Sequence, residues 1–255
     1  MKRKLPNIIN NIWSYSAIAV LLMIWQLVAS FEWVDRFMLP SPISVVKAFV
    51  KEFPILMEHS VVTLAEAFIG LALGVLFGFV MAVLMDRFHA LYKAFYPLIV
   101  LTQTVPTVAL APLLVLWFGY EMTPKVVLVV LTTFFPIAVG LLNGFQAADK
   151  DSINLIRAMG GNRWQIFCYI KFPGALSPFF AGLRISASYA VVGAVISEWL
   201  GGFKGLGVYM TRVKQAFSFD KMFAVIFLIS VISLLLMKGV DFLQKKCMPW
   251  EKEKL

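Results

Sequence analysis

The stretch Gln146–Pro173, QAADKDSINLIRAMGGNRWQIFCYIKFP, lies between two long apolar runs and sets how the rest of the chain is read. Its charged and amide residues are too costly to leave in hydrocarbon, yet Ile153, Leu155, Ile156 and Met159 recur at helical spacing. The pattern predicts a short amphipathic helix stopped at Gly160-Gly161. A second helix follows, capped by Asn162, with Trp164, Ile166, Phe167 and Ile170 as its apolar set and Pro173 as its end. Two short helices across a glycine hinge form a knob that fits a groove on another protein. The competing reading is a re-entry loop lying on the lipid surface.

Around that loop the chain is far more apolar than a soluble domain. Of its 255 residues 60% are hydrophobic, against about 45–50% in soluble proteins, and the mean hydropathy is +0.84. A spanning helix needs about 20 apolar residues. Six runs qualify, at 12–30, 61–85, 94–118, 125–144, 176–199 and 222–243. They are continuously apolar rather than alternating, which selects helices over barrel strands. The expectation is an all-α, polytopic membrane protein of six spans, a single domain over 1–255 with one sizeable inner loop at 146–174.

Lys2, Arg3 and Lys4 precede the first run and place the N-terminus in the cytoplasm. Six spans then bring the C-terminus back inside. On that topology 13 Lys and Arg fall on inner segments and 8, Lys125 among them, on outer ones. The short Asp86–Lys93 turn and the tail residues Lys245, Lys246, Lys252 and Lys254 strengthen the asymmetry. The net charge of +9 therefore reads as membrane orientation. Nucleic acid is not expected as a partner, because no basic patch is interleaved with exposed aromatics. The first apolar run exceeds a signal peptide's core and Val28-Ala29-Ser30 is a weak cleavage-like site, so an uncleaved helix is expected. Cys168 and Cys247 fall on the reducing inner side, where no disulfide is expected.

Within the spans a few residues break the apolar pattern. Ser41 and Pro42 suit the cap and first position of a helix, and 42–57 reads as an amphipathic helix on the outer membrane face. Gly70, Gly74 and Gly78 repeat at four-residue spacing, the small-residue face that lets membrane helices approach closely. Glu66 lies one step earlier on that row, and each step rotates only about 40°, so it faces packed protein. An ionisable residue in a span is a functional candidate; the plainer reading is a structural pair or a side chain that snorkels. Gln103, beside Val105-Pro106, is expected to line a solute path, or else to bond a neighbouring helix across a kink. Arg184 is read as snorkelling or capping a helix end. Glu198 is placed at the far end of the fifth span as a path candidate, before a flexible Gly201–Gly207 segment.

Several chemistries are missing from the sequence. There is no GxxxxGK[ST], HExxH or GxSxG, and His59 and His89 sit at opposite ends of one span. An enzyme is not expected, nor a cofactor or metal held by this chain.

The loop resembles the cytoplasmic "EAA" loop of permeases of binding-protein-dependent ABC importers. The family's glycine corresponds to Gly160, and its ending to Ile170-Lys171-Phe172-Pro173. The EAA triplet falls on Asn154-Leu155-Ile156, a departure that weakens any claim to one particular salt bridge. Leu39-Pro40-Ser41-Pro42, the glycine-rich second span, Ala181-Gly182-Leu183-Arg184, and Glu198 ahead of Gly205-Leu206-Gly207 are similar to the nitrate, sulfonate and taurine branch. Within it, Thr63–Glu66, Gln103–Pro106, Ala109–Pro112 and Phe118-Gly119 are most similar to permeases for thiamine pyrimidine precursors or riboflavin.

The resemblance implies a type I importer permease in a bacterial plasma membrane, with both termini cytoplasmic and acting as a homodimer in lipid. It further implies a partner ATPase that binds ATP and Mg and docks on Asn154, Leu155, Ile156, Gly160, Gly161, Trp164 and Pro173, and an extracytoplasmic solute-binding protein. Glu66, Gln103 and Glu198 become expected path residues for a small polar heterocycle, with nitrate, sulfonate or taurine as the alternative cargo. Alanine at Gly160 is expected to abolish uptake and ATPase stimulation. A stand-alone carrier or channel is the reading from another class; it would need its own driving-ion site, and no convincing inverted repeat is found.

Overall fold

The computed structural model describes residues 5–31, 33–35 and 38–250. Lys2, Arg3, Lys4, Lys252 and Lys254, on which the topology reading partly rests, lie outside them. The described residues form helices and no strands: α1 Leu5–Ser30, α2 Pro42–Arg87, α3 His89–Thr102, α4 Thr107–Phe118, α5 Met122–Gln146, α6 Lys150–Ala158, α7 Arg163–Ile166, a π turn at Phe167–Lys171, α8 Phe172–Leu200, α9 Leu206–Gln215 and α10 Phe219–Cys247.

The all-α expectation is met, while three boundaries differ from the sequence reading. The stretch 42–57 is not a separate surface helix. It continues through Pro54 into the 46-residue α2, although the Ser41 cap holds, its hydroxyl accepting the Ser44 N–H at 3.2 Å. The expected third span is two helices, α3 and α4, bent by 99° at residues 103–106. Pro106 lacks an N–H and takes extended geometry there (φ −60°, ψ 120°), which ends one helix and starts the next. Finally, Pro173 does not end the loop. It occupies the first turn of α8, and helix runs from Arg163 to Leu200 through the π turn. A proline ring crowds the carbonyl four residues back. Here that carbonyl is Tyr169, inside the widened turn that absorbs the conflict.

Among the described residues four helices are long and apolar enough to cross a membrane, or five if α3 and α4 form one broken span. The first expected run, 12–30, lies in the 26-residue α1, of which this count covers the apolar part Ser16–Ser30. The described residues establish four or five of the six expected spans.

The chain divides into two compact units. The smaller takes Met1–Glu58 and Tyr209–Leu228. In it Trp25 stacks on Phe227 at 5.8 Å, and Glu52 accepts from Lys221 at 2.7 Å and from Tyr209 at 3.2 Å. Burial, followed by the nearby Glu52 carboxylate, pushes the Tyr209 phenol well above its ordinary range.

The larger unit takes His59–Val208 and Ile229–Leu255. Its core gathers Ile137, Leu141, Leu142, Phe145, Ala175 and Phe180, all under 5% exposed. In a bilayer apolar burial gives helices little reason to associate, so close packing must supply it. The glycine row of α2 does so against α5. A Cβ on Gly70, Gly74 or Gly78 would lie 2.4 Å from Val129, 2.2 Å from Thr133 Oγ1 and 2.9 Å from Ile137 respectively. A second glycine contact, unremarked in the sequence, joins α5 to α8. Gly140 and Gly144 meet Pro178 and Ala175, and Gly182 meets the carbonyl of Pro136.

Candidate functional site

Glu66 and Glu198, far apart in sequence, come together inside the larger unit, each 1% exposed. Lys125, 4% exposed on α5, donates to Glu66 Oε1 at 2.7 Å. Thr63, one turn before Glu66, donates to Glu198 Oε1 at 2.7 Å and accepts the Leu206 N–H at 2.8 Å. The Gly207 N–H donates to the other oxygen of Glu198, and the Gly205 N–H donates to His59 Nδ1 at 2.9 Å. The start of α9 and the residue before it are thereby tied to α2 through the Gly205 and Leu206 N–H groups and to α8 through the Gly207 N–H. Such groups need partners when buried, and two glycines let the backbone come this close. Gly205 holds φ at +126°, and a Cβ on it would lie 2.3 Å from the Glu198 carboxyl.

This arrangement corrects the reading of the glycine segment and of Lys125. The Gly201–Gly207 segment is anchored rather than flexible, with Leu206 fully buried. The oxygens of Glu66 and Glu198 bond to Lys125, Thr63 and backbone. The one exception is Glu66 Oε2, which is buried without a donor. Lys125 is likewise a buried partner and not an outer-loop charge.

Gln103 lies elsewhere. It is exposed in the break between α3 and α4, on the wall of a cleft of about 410 Å³. Its polar neighbours there are Thr102, Thr107, Thr132 and Tyr189, and the remainder is aliphatic, including Val192 and Ile196. No charged side chain lines this cleft. Concave, mostly apolar sites with a few neutral hydrogen-bonding groups suit small heterocycles.

The 146–174 loop is built much as its spacing predicts. Asp149 caps α6, accepting the Ser152 N–H at 2.9 Å and the Asp151 N–H at 3.3 Å. Its bonds from Ser152, hydroxyl first, hold the carboxyl below its ordinary range. Gly160 takes φ +81° and turns the chain. Asn162 and Gln165 then form a reciprocal capping box at α7. α6 buries none of its residues. Asn154 and Leu155 are exposed, Ile156 half-buried, and Met159 and Trp164 are 78% and 71% exposed. Pro173 is half-buried in α8. Arg184 binds Asp241 at 3.1 Å and Gln244 at 3.0 Å on α10, and so joins two helices instead of capping one.

The residues that sequence reading missed are Lys125, His59 and Thr63. The available signal was charge pairing: a lone ammonium at the start of one apolar run and a lone carboxylate inside another must find each other. For the second glycine contact the signal was Gly140-Leu-Leu-Asn-Gly144, the same four-residue spacing recognised in α2. Among the described residues no three His, Cys, Asp or Glu side chains converge as metal ligands would.

Comparison with known proteins agrees with this architecture. A formylaminopyrimidine transport permease protein of Halalkalibacterium halodurans is 37% identical over 92% of this chain and 94% of its own length. A riboflavin transport system permease protein of Chloroflexus aurantiacus is 30% identical, covering 91% of this chain and 87% of its own. A taurine transport system permease protein of Escherichia coli is 30% identical over 94% and 90%. Among solved structures, a methionine ABC transporter in inward-facing form superposes with a TM-score of 0.66 at 19% identity, over 77% of this chain and 97% of that one. An amino acid ABC transporter gives 0.65 at 18%, over 78% and 96%. These two share the fold. The family described as the binding-protein-dependent transport system inner membrane component matches residues 74–248. The chain is a membrane-spanning ABC importer permease and belongs to that family.

Proposed function

We propose that the chain forms the path by which an ATP-driven importer moves a thiamine pyrimidine precursor or a related uncharged heterocycle across a bacterial plasma membrane. The observation that carries the choice of cargo is the cleft beside Gln103, whose polar wall is amide and hydroxyl only. A sulfonate or nitrate ion leaving water needs a positive partner, and this wall holds none. A planar amine or amide can instead exchange its water for Gln103, Thr132 and Tyr189. Relatives whose names specify formylaminopyrimidine and riboflavin transport support the same cargo class.

In this reading the single permease domain pairs with a second copy, with both termini in the cytoplasm. An ATPase that holds ATP and Mg docks on the 146–174 loops. A solute-binding protein delivers cargo from outside. The ATPase drives the permease by binding its two conformations unequally, and that difference is the coupling energy. Gln103 touches the cargo. Glu66 and Glu198 act at one remove, Glu66 by pairing with Lys125 on α5 and Glu198 by holding Gly207 beside Thr63 of α2.

Two measurements test this. Thermal shift of the partner binding protein against pyrimidines, flavins, sulfonates and nitrate is expected to respond to a pyrimidine or flavin; a response confined to the anions refutes the cargo class. Gln103→Ala in the reconstituted importer is expected to cut uptake about tenfold while ATPase docking persists. Unchanged uptake removes Gln103 from the path.

The docking reading has its own test. A Cβ on Gly161 would lie 2.3 Å from the Ile156 side chain and 2.8 Å from its carbonyl oxygen, whereas around Gly160 there is open space. Alanine at Gly160 faces only the left-handed backbone, about 1–2 kcal/mol. Gly161→Ala must push α6 away from α7. The full loss that the sequence assigned to Gly160→Ala therefore moves to Gly161→Ala, with only a partial loss expected for Gly160→Ala, and the reverse order would mean that the α6–α7 geometry is not what the ATPase grips.

A further inference from the structure

The end of α2, the α6–α7 turn and the π turn enclose a cleft of about 720 Å³, separate from the one beside Gln103. Arg87, Arg157 and Arg163 line it together with Lys171 and Asp86. Lys171 donates to both Asp86 oxygens, at 2.6 and 2.8 Å, so these two charges cancel. The three guanidinium groups have no carboxylate partner among the described residues. The cleft thus carries three uncompensated positive charges, and its one acid is neutralised before it can repel an anion. Asn162 and Trp164 also line it, and Val83, Ile166 and Phe167 give it an apolar side.

Its depth is fixed by the helices that build it. The candidate span α2 ends at Arg87 and a later candidate span begins at Arg163, so the cleft lies where the ends of two candidate spans meet. Tyr169 of the π turn, 72% exposed, is an aromatic side chain of the kind that concentrates at membrane interfaces.

We propose that this cleft binds the phosphate headgroup of an anionic phospholipid, with the acyl chains leaving along Val83 and Phe167. Guanidinium forks match phosphate geometry and stay charged, and basic pockets between span ends suit such headgroups. A free phosphate ion would use the arginines and leave the apolar wall idle. An acidic protein surface would need no cleft reaching Val83 at the membrane edge. Arg157 belongs to α6, so a bound lipid would tie the exposed loop helix to the bilayer.

The test uses the full permease purified with its ATPase. Native mass spectrometry with equal phosphatidylglycerol and phosphatidylcholine is expected to show about tenfold preferential retention of the anionic lipid. Arg87→Gln with Arg163→Gln is expected to abolish the preference. Arg87→Lys with Arg163→Lys keeps charge but loses the fork and is expected to retain part of it, a readout that survives if the glutamine variant fails to fold. Equal retention of both lipids overturns the proposal. Displacement of phosphatidylglycerol by equimolar inorganic phosphate overturns the lipid as the source of the phosphate. Loss of the ATPase from the arginine variants with unchanged lipid retention overturns it as well, and assigns the arginines to protein docking.

Discussion

Lys125→Met is expected to be among the most destabilising single substitutions in the larger unit, lowering stability by about 3–5 kcal/mol. Among the described residues Lys125 is the one cation paired with Glu66, at 2.7 Å, and both side chains are almost fully buried. Removing it leaves a carboxylate in a site where its second oxygen already lacks a donor and its neighbour is another acid, Glu198. Glu66→Gln alone strands the ammonium instead and is expected to destabilise as well. The double variant removes both charges, and replacing a whole buried pair is often near neutral. It is therefore expected to melt closer to the parent than either single variant. Thermal melting of the solubilised protein measures all three, and the double-mutant cycle gives the coupling. If the singles melt with the parent, or the double loses the sum of their effects, the pair does not hold α2 to α5.

This pair also shows where sequence reading stops. Periodicity and length located the apolar helices, because the cost of unpaired backbone in lipid permits little else. Glycines at four-residue spacing marked the α2 face that α5 meets, since only a missing side chain permits that approach. The loop, too, was readable through its apolar spacing, its cap at Asn162 and its turn at Gly160-Gly161, all local effects within four residues. What could not be read is long-range. That Thr63 would bridge Glu198 and the Leu206 N–H depends on three segments meeting, and no local pattern encodes it. The same holds for Gly201–Gly207, whose composition resembles a flexible linker. Its glycines are there because Glu198 and His59 lie against the backbone, which composition alone does not report. The 99° break was half legible: Pro106 promised a disruption, but whether a helix bends slightly or reverses depends on the packing of α4 against α5 and α8.

Gly182→Ala is the other substitution with a large expected effect, and its logic differs from the charge pair. A Cβ at Gly182 would lie 2.4 Å from the carbonyl oxygen of Pro136 and 3.0 Å from its carbonyl carbon. Those are backbone atoms of α5, so no rotamer change relieves the clash and α8 must shift as a body. Overpacking typically costs about 1–3 kcal/mol when side chains can adjust, and here they cannot. Gly74→Ala provides the contrast. Its Cβ would meet Thr133 Oγ1 at 2.2 Å but the nearest backbone atom, Phe134 N, only at 3.5 Å. Trimming the obstacle with Thr133→Ala is therefore expected to restore much of the stability that Gly74→Ala removes. No side-chain substitution on α5 is expected to restore Gly182→Ala, because the obstruction is the Pro136 peptide. Melting temperatures of the two single variants and the Gly74→Ala, Thr133→Ala double separate these cases. Failure of Thr133→Ala to relieve Gly74→Ala would mean that α2 meets α5 along a different line. A wild-type melt for Gly182→Ala would mean that α8 does not cross α5 at Pro136, and with that crossing would go the frame that carries Glu198 to Thr63.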